Sequence, residues 1–333
     1  MRREEPEVRE IAYRHAIREA MAEEMLRDER VFLLGEDVGV LGGVYGVSKG
    51  ILEQFGPERI LDTPLSEAAI AGGGIGAALV GMRPIVEIMT INFMTIAMDQ
   101  VVNQAPKMRY IFGGKATVPL VIRTQGGGGR NAAAHHSQSF EAWFVHVPGL
   151  KVVMPSTAYD VKGLLKTSIR DDNPVMFIEH ILLYNTEGPV PEQEYTIPLG
   201  QADIKREGTD ITVVAMSLMV HKALKAAAEL EGEGISLEVV DPRTLVPMDT
   251  DTILSSVRKT GRLLVVHEAC RTGGIAGEVM AVVVENAFDC LKAPPRRVAA
   301  LDVPIPYSTV LEKAALPDET DIAEAARAVM ESP

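Results

Sequence analysis

Short apolar runs alternate with helical stretches along almost the whole chain, in two series separated by a polar, proline-studded break. In the first series Val31–Gly35 (VFLLG) reads as a buried strand running into the glycine-rich LGGVYG. Residues 84–88 and 118–123 read as further strands, with a long helical pattern between them at about 93–111. Strand-like VVM at 152–154 and VMFIEH at 175–180 follow, separated by a helix from about 160 to 170. Residues 185–200, NTEGPVPEQEYTIPLG, interrupt the pattern. It then resumes as strands at 211–216, 236–240, 262–269 and 296–302, with helices near 220–231, 249–259 and 275–288 between them and a last helix near 321–330. Strands that alternate with helices demand parallel pairing with helices on both faces. The expected fold is therefore α/β, with two parallel-sheet domains: residues 1–190, a linker at 191–200, and residues 201–333.

With 333 residues, two domains is also what length alone suggests. A formal net charge of -13 and the lack of a Lys/Arg-rich run speak against nucleic acid or an anionic membrane as partner. No apolar stretch reaches the roughly 20 residues of a membrane span. The N-terminal MRREEPEVRE has no apolar segment behind its arginines, so it reads as neither signal peptide nor anchor. Two cysteines, Cys270 and Cys290, form no framework and have no metal-ligand spacing, which suits a reducing, cytoplasmic setting.

The segment 61–81, LDTPLSEAAIAGGGIGAALVG, places one carboxylate, Glu67, at the start of a helix that otherwise carries small or apolar side chains. Ser66 is a candidate N-cap, and Pro64 helps keep the helix from starting earlier. Taken alone, Glu67 is either an ordinary first-turn acid, worth about 0.3–1 kcal/mol against the helix dipole, or a functional acid. Residues 72–77 satisfy G-x-G-x-x-A, but a dinucleotide fingerprint needs a strand running straight into the glycines, and here a helix begins before them. Close helix packing is the better reading. Gly46–Gly50 matches G-x-S-x-G around Ser48 without the buried strand that a nucleophile elbow requires. Gly113-Gly114-Lys115 lacks the rest of a P-loop and reads as a turn.

The loop QGGGGRNAAAHHSQ at 125–138 is costly to order, which is characteristic of lids and ligand clamps, and it is expected to be mobile without a ligand. His135 and His136 end it, and a histidine can serve as acid, base or anion-pairing cation near neutral pH. An exposed loop with incidental histidines is the alternative. Glu36, in GEDV, follows the first strand, and open parallel sheets place ligands at the C-terminal ends of their strands. No histidine or acid cluster has metal-ligand spacing.

GEDV at 35–38, DTPLSEAAIAG at 62–72, EIMTINF at 87–93, HSQSFEAWFVHVPGLKVVMPST at 136–157 and DPRTLVPMD at 241–249 occur in one order. Together they resemble the β subunit of the thiamine-diphosphate-dependent decarboxylase of 2-oxo acid dehydrogenase complexes, with the pyruvate type nearest. The similarity runs from about residue 8 to residue 325. It implies a pyrimidine-binding domain followed by a transketolase C-terminal-like domain. It also implies that Glu67 hydrogen-bonds the aminopyrimidine of the cofactor and favours its imino tautomer. By the same matching Phe93 stacks on that ring, Leu65 and Met89 line its pocket, and Glu36 is the acid beside it. His136 holds the 2-oxo acid or the lipoyl group. A structural potassium site would match Leu120, Ser168, Asp171 and Asn173, mostly through carbonyls.

His135 stands where the pyruvate-type pattern has glutamine, which keeps branched-chain 2-oxo acid or acetoin cleavage as alternatives. Magnesium normally reaches the diphosphate through a Gly-Asp-Gly motif, and the sequence contains none. The resemblance therefore implies half of an active site. An α subunit, in an α2β2 heterotetramer, would supply the Mg²⁺ and hold the diphosphate, and a lipoyl transacylase core would take the acyl group. A hydrolase built on Ser48 and a non-catalytic docking subunit are the rival readings.

Overall fold

Two units divide the chain in the computed structural model, which describes residues 8–332. Residues 1–7, which hold most of the charged N-terminal stretch, and Pro333 lie outside the described residues. The first unit runs to Gln125 and continues over His146–Leu199. The second takes Gly126–Val145 and everything from Gly200 onward. The glycine-rich loop thus groups with the C-terminal part of the chain, although in sequence it interrupts the N-terminal part.

The first unit opens with strand β1 (Val8–Ala12) and helix α1 (Tyr13–Arg27), followed by β2 (Val31–Gly35), α2 (Ile51–Phe55) and β3 (Ile60–Asp62). Helix α3 (Glu67–Leu79) and β4 (Arg83–Ile88) come next. Beyond the short α4 (Met108–Ile111) the chain enters β5 (Val121–Gly126). After the excursion into the second unit, which carries the short α5 (Glu141–Val145), the first resumes with β6 (Lys151–Val153), α6 (Ala158–Arg170), β7 (Val175–His180) and β8 (Glu187–Pro191). Its sheet runs β6-β7-β5-β4-β2-β3, and β2 pairs in parallel with both β3 and β4. Every residue of β2, β5 and β7 is buried, as strands covered on both faces require.

Two expectations change here. The helical pattern at 93–111 is not one α-helix: a 3-10 turn (Ile91–Thr95), a π turn (Asp99–Gln104) and α4 replace it. Pro106 lacks the amide that a continuous helix needs at that point, and π turns relieve such mismatches. The break at 185–200 is not wholly irregular either, because β8 pairs antiparallel with β1. Pro189 and Pro191 stand two residues apart, so their missing donors fall on one edge and leave the other free for the ladder.

Glycine content explains how α3 sits on the sheet. A Cβ on Gly74 would lie 2.4 Å from Val86 Cγ2 of β4, whereas Gly73 and Gly76 face open space. Close packing is therefore a property of Gly74, and the glycines lie inside a helix rather than at a strand–helix turn. Ser66 occupies the N-cap position, but its hydroxyl makes no capping bond, its ψ of 74° lying outside the extended range of an ordinary cap.

Helices α1 and α6 are joined by charge. Lys162 and Lys166 are buried and reach Glu19 and Glu23 at 2.7–2.9 Å, and Arg170 pairs with Glu24. Deeper in, Arg123 of β5 lies 1% exposed between two carboxylates. Its Nε and Nη2 donate to Glu179 of β7 at 2.7 and 2.9 Å, and Nη1 donates to Glu87 of β4 at 2.8 Å. The Tyr184 hydroxyl donates to Glu179 at 2.8 Å. Burial pushes the Glu87 carboxyl upward, and the guanidinium opposes that shift.

The second unit is a sheet of order β14-β13-β10-β11-β9, built from β9 (Asp203–Arg206), β10 (Ile211–Ala215), β11 (Leu237–Asp241), β13 (Leu263–Cys270) and β14 (Arg296–Ala300). A short strand, β12 (Thr244–Val246), follows β11. β10 pairs in parallel with β11 and β13, and β13 with β14, whereas β9 runs antiparallel to β11. Helices α7 (Leu218–Glu231), α8 (Thr250–Thr260), α9 (Ala276–Ala287), α10 (Thr309–Ala315) and α11 (Glu319–Met330) complete it. Local chemistry fixes their ends. Asp249 caps α8 by accepting from Thr252 N, Gly261 closes it at φ 76°, and Asp318 with Asp321 forms a capping box on α11.

Arg123→Met should cost about 3–5 kcal/mol, because it strands buried carboxylates without a counter-charge. Urea denaturation should show a larger loss at about pH 7 than at about pH 5, where the orphaned acids can take protons.

Candidate active site

In the first unit's sheet β2 lies between β3 and β4, and the chain leaves β2 toward β3 but leaves β4 toward β5. The two outgoing connections diverge at the C-terminal ends of β2 and β4. This is the switch point at which open α/β sheets bind ligands. Glu36 follows β2 directly, Met89 and Phe93 follow β4, and Leu65 and Glu67 follow β3.

The loop after β2 is shaped by its own polar contacts. Asp62 accepts from Gly39 N at 2.6 Å and Val40 N at 3.0 Å. Asp37 adopts φ 54°, and its carbonyl takes the Gly43 amide at 2.7 Å. Ser48 is fully buried and donates to the Val38 carbonyl at 2.7 Å. It is therefore a loop-holding residue, and the hydrolase reading of G-x-S-x-G is overturned.

These contacts leave Glu36 buried, and neither of its carboxylate oxygens has a hydrogen-bond partner among the described residues. Desolvation, then repulsion from Glu67 and Asp37, raises its pKa above the ordinary carboxylate value. Glu67 is also buried, at the first turn of α3. Leu65, two residues before Glu67, is 79% exposed, an apolar side chain standing open. Phe93 and Met89 are half-buried, and Gln125 at the end of β5 donates to the Met89 carbonyl at 3.0 Å and to the Tyr45 hydroxyl at 3.3 Å. The five residues expected to contact the cofactor thus all belong to the first unit. Gln125 and Tyr45 had no signal in the sequence, because their contacts join strand ends far apart along the chain.

His136 belongs to the second unit and is exposed. The glycine-rich loop that carries it is bonded through its backbone amides to two carboxylates of the second unit. Gly128 N donates to Glu268 Oε1 at 2.6 Å, and Gly129 N and Asn131 N donate to the two oxygens of Glu312 at 2.9 and 2.8 Å. Close to its far end, buried His267 lies 3.9 Å from Glu141, and burial, aided by Arg297, lowers its pKa to about 4. It is a neutral imidazole at physiological pH.

Leu120, Ser168, Asp171 and Asn173 gather around the C-terminus of α6, where the Leu120 carbonyl takes Val175 N. The Asp171 carboxylate takes Lys151 and Asn173, and its carbonyl takes Arg83. Among the described residues no group of three or more His, Cys, Asp or Glu could hold a metal ion. No described helix is long and apolar enough to cross a membrane.

Residues 9–186 match the pyrimidine-binding domain of transketolase, and residues 200–322 match the transketolase C-terminal domain. The chain is 49% identical over 320 residues to the pyruvate dehydrogenase E1 component subunit beta of Rickettsia felis, covering 96% of this chain and 98% of that protein. The chain belongs to the β-subunit family of thiamine-diphosphate-dependent 2-oxo acid dehydrogenases. Within that family it is equally similar to the acetoin:2,6-dichlorophenolindophenol oxidoreductase subunit beta of Cupriavidus necator, at 51% identity over 332 residues, 97% of this chain and 98% of that one. A solved split-gene transketolase, described as an inactive β4 tetramer, shares the fold with a TM-score of 0.79 at 24% identity, over 96% of this chain and 98% of that one.

The Glu36 carboxyl makes folding pH-dependent in a defined sense. Its raised value means that the folded chain holds a proton which the unfolded chain releases, so stability falls as pH rises through that window and stays lower above it. Glu36→Gln should therefore raise the melting temperature of the isolated chain, with a larger gain at about pH 7 than at about pH 4. A gain that does not vary with pH would contradict this.

Proposed function

We propose that this chain is the β subunit of a pyruvate dehydrogenase-type decarboxylase, which pairs with an α subunit in an α2β2 assembly and passes an acyl group to a lipoyl transacylase core. The observation that carries the reading is the pair of buried acids, Glu36 and Glu67, beside half-buried Phe93 and Met89 and exposed Leu65. An aminopyrimidine has the complementary chemistry: a flat apolar face and edge nitrogens that share protons with carboxyl groups. The residues present fit that ring, and Glu36, whose oxygens are orphaned and buried, is where a polar edge is wanted.

Thiamine diphosphate, when bound, supplies the electron sink for decarboxylation of a 2-oxo acid. This chain's own residues do the positioning and proton work. Glu67 would share a proton with the ring nitrogen of the pyrimidine, a task suited to a buried carboxylate. Glu36, raised by its surroundings, is able to hold a proton on one oxygen and donate from it. Phe93, Leu65 and Met89 would supply the apolar surface against which the ring is held. His136 takes part in holding the 2-oxo acid or in acyl transfer to the lipoyl group. The diphosphate and its Mg²⁺ fall to the α subunit, since this sequence has no Gly-Asp-Gly motif. A potassium ion at Leu120, Ser168, Asp171 and Asn173 would have to use carbonyl lone pairs left over from the bonds to Val175 and Arg83.

Acetoin cleavage is the second reading, favoured by the equal similarity to an acetoin oxidoreductase subunit and by His135. Turnover with pyruvate, branched-chain 2-oxo acids and acetoin, with the α subunit present, separates the readings; pyruvate should give the highest kcat/KM. Glu67→Gln in the assembled enzyme should retain cofactor yet slow exchange of its thiazolium C2 proton by about 100-fold or more. Unchanged exchange would overturn the role assigned to Glu67.

A further inference from the structure

We infer that Glu312 is a positioning residue for the His136 loop: its buried carboxylate replaces a bound anion as the organiser of the glycine-rich backbone. The inference rests on the role proposed above for His136. A glycine run with successive amides turned inward normally forms a concave anion-binding nest. Here the nest is already filled from within the protein. Glu312 of α10, 2% exposed, takes the amides of Gly129 and Asn131 on its two oxygens, and Glu268 at the end of β13 takes that of Gly128. All these residues belong to the second unit.

The backbone adopts a shape that needs such an anchor. Gly127 and Gly129 both sit at φ 90°, and Asn131 and Ala133 sit at φ 58° and 61°, in the left-handed region that side chains disfavour. A Cβ on Gly128 would come within 2.6 Å of Leu316 at the end of α10, so the loop lies directly against the helix that carries Glu312. Downstream, His136 N donates to the Ala133 carbonyl at 3.3 Å, and Arg130 donates to the His136 carbonyl at 3.2 Å. The bends at 131 and 133 therefore set the path of the main chain that ends at the imidazole. Charge-assisted bonds from two amides to one carboxylate are strong enough to hold two unfavourable residues in place. A histidine fixed in this way loses less freedom on meeting its substrate. A phosphate group has no place in this nest while Glu312 fills it.

The test uses the full chain assembled with its α subunit. In Glu312→Ala, amide hydrogen exchange over residues 128–136 should accelerate at least tenfold, with β10 and β13 unchanged as a check on folding. The acyl-transfer rate to the lipoyl group should fall at least tenfold while thiazolium C2 proton exchange, which depends on Glu67, stays as in the unaltered enzyme. Glu312→Gln keeps the shape but only one acceptor oxygen, so it should recover part of both losses; it also serves as the test if the alanine variant fails to fold. In a His136→Ala background, Glu312→Ala should bring no further loss of acyl transfer. Unchanged exchange in both Glu312 variants, or equal losses with and without His136, would overturn the inference. If His136→Ala itself leaves acyl transfer intact while the loop loosens as expected, it is the proposed role of His136 that fails, not the anchoring.

Discussion

A single guanidinium ties the middle of the first unit's sheet together. Arg123 reaches both oxygens of Glu179 and one of Glu87, so β4, β5 and β7 share one buried charge network. The strand ends that carry Met89 and Gln125 continue from those same strands. The carboxylates of Glu87 and Glu179, both hydrogen-bonded to Arg123, contrast with the carboxylate of Glu36 at the strand ends, whose oxygens have no partner among the described residues. A paired buried acid stabilises or specifies structure, whereas an unpaired one costs stability until something arrives to share a proton with it.

Glycine serves two opposite purposes in this chain. In α3 it removes side chains so that the helix can lie against β4, and only Gly74 is under that demand. In the loop at 126–129 it frees amides and permits positive φ, and the freed amides are taken by Glu268 and Glu312. The same composition therefore produces a rigid packing surface in one place and an anchored turn in the other. What decides between them is the presence of a carboxylate within reach.

Much of the fold was legible because buried parallel strands are short, apolar and bounded by helices of clear period: VFLLG and VMFIEH fall where the pattern places them. The helical pattern at 93–111 was less reliable because periodicity does not register the broken hydrogen bonding around Pro106. The β1–β8 ribbon was hidden because its strands lie far apart in sequence and one carries two prolines. In the site, Glu67 and Glu36 were visible as acids at a helix start and a strand end. The anchoring of the glycine loop was not, since Gly129 and Glu312 are separated by 183 residues and nothing local to either signals the other.

In the proposed function, the first unit offers the pyrimidine half of a thiamine site and depends on a partner for the other half. Calorimetric titration of Mg²⁺–thiamine diphosphate tests it most directly, first into the isolated chain and then into its assembly with the α subunit. The account predicts no saturable binding by the chain alone up to about 1 mM and binding at about micromolar concentrations by the assembly. Tight, stoichiometric binding by the isolated chain would contradict it.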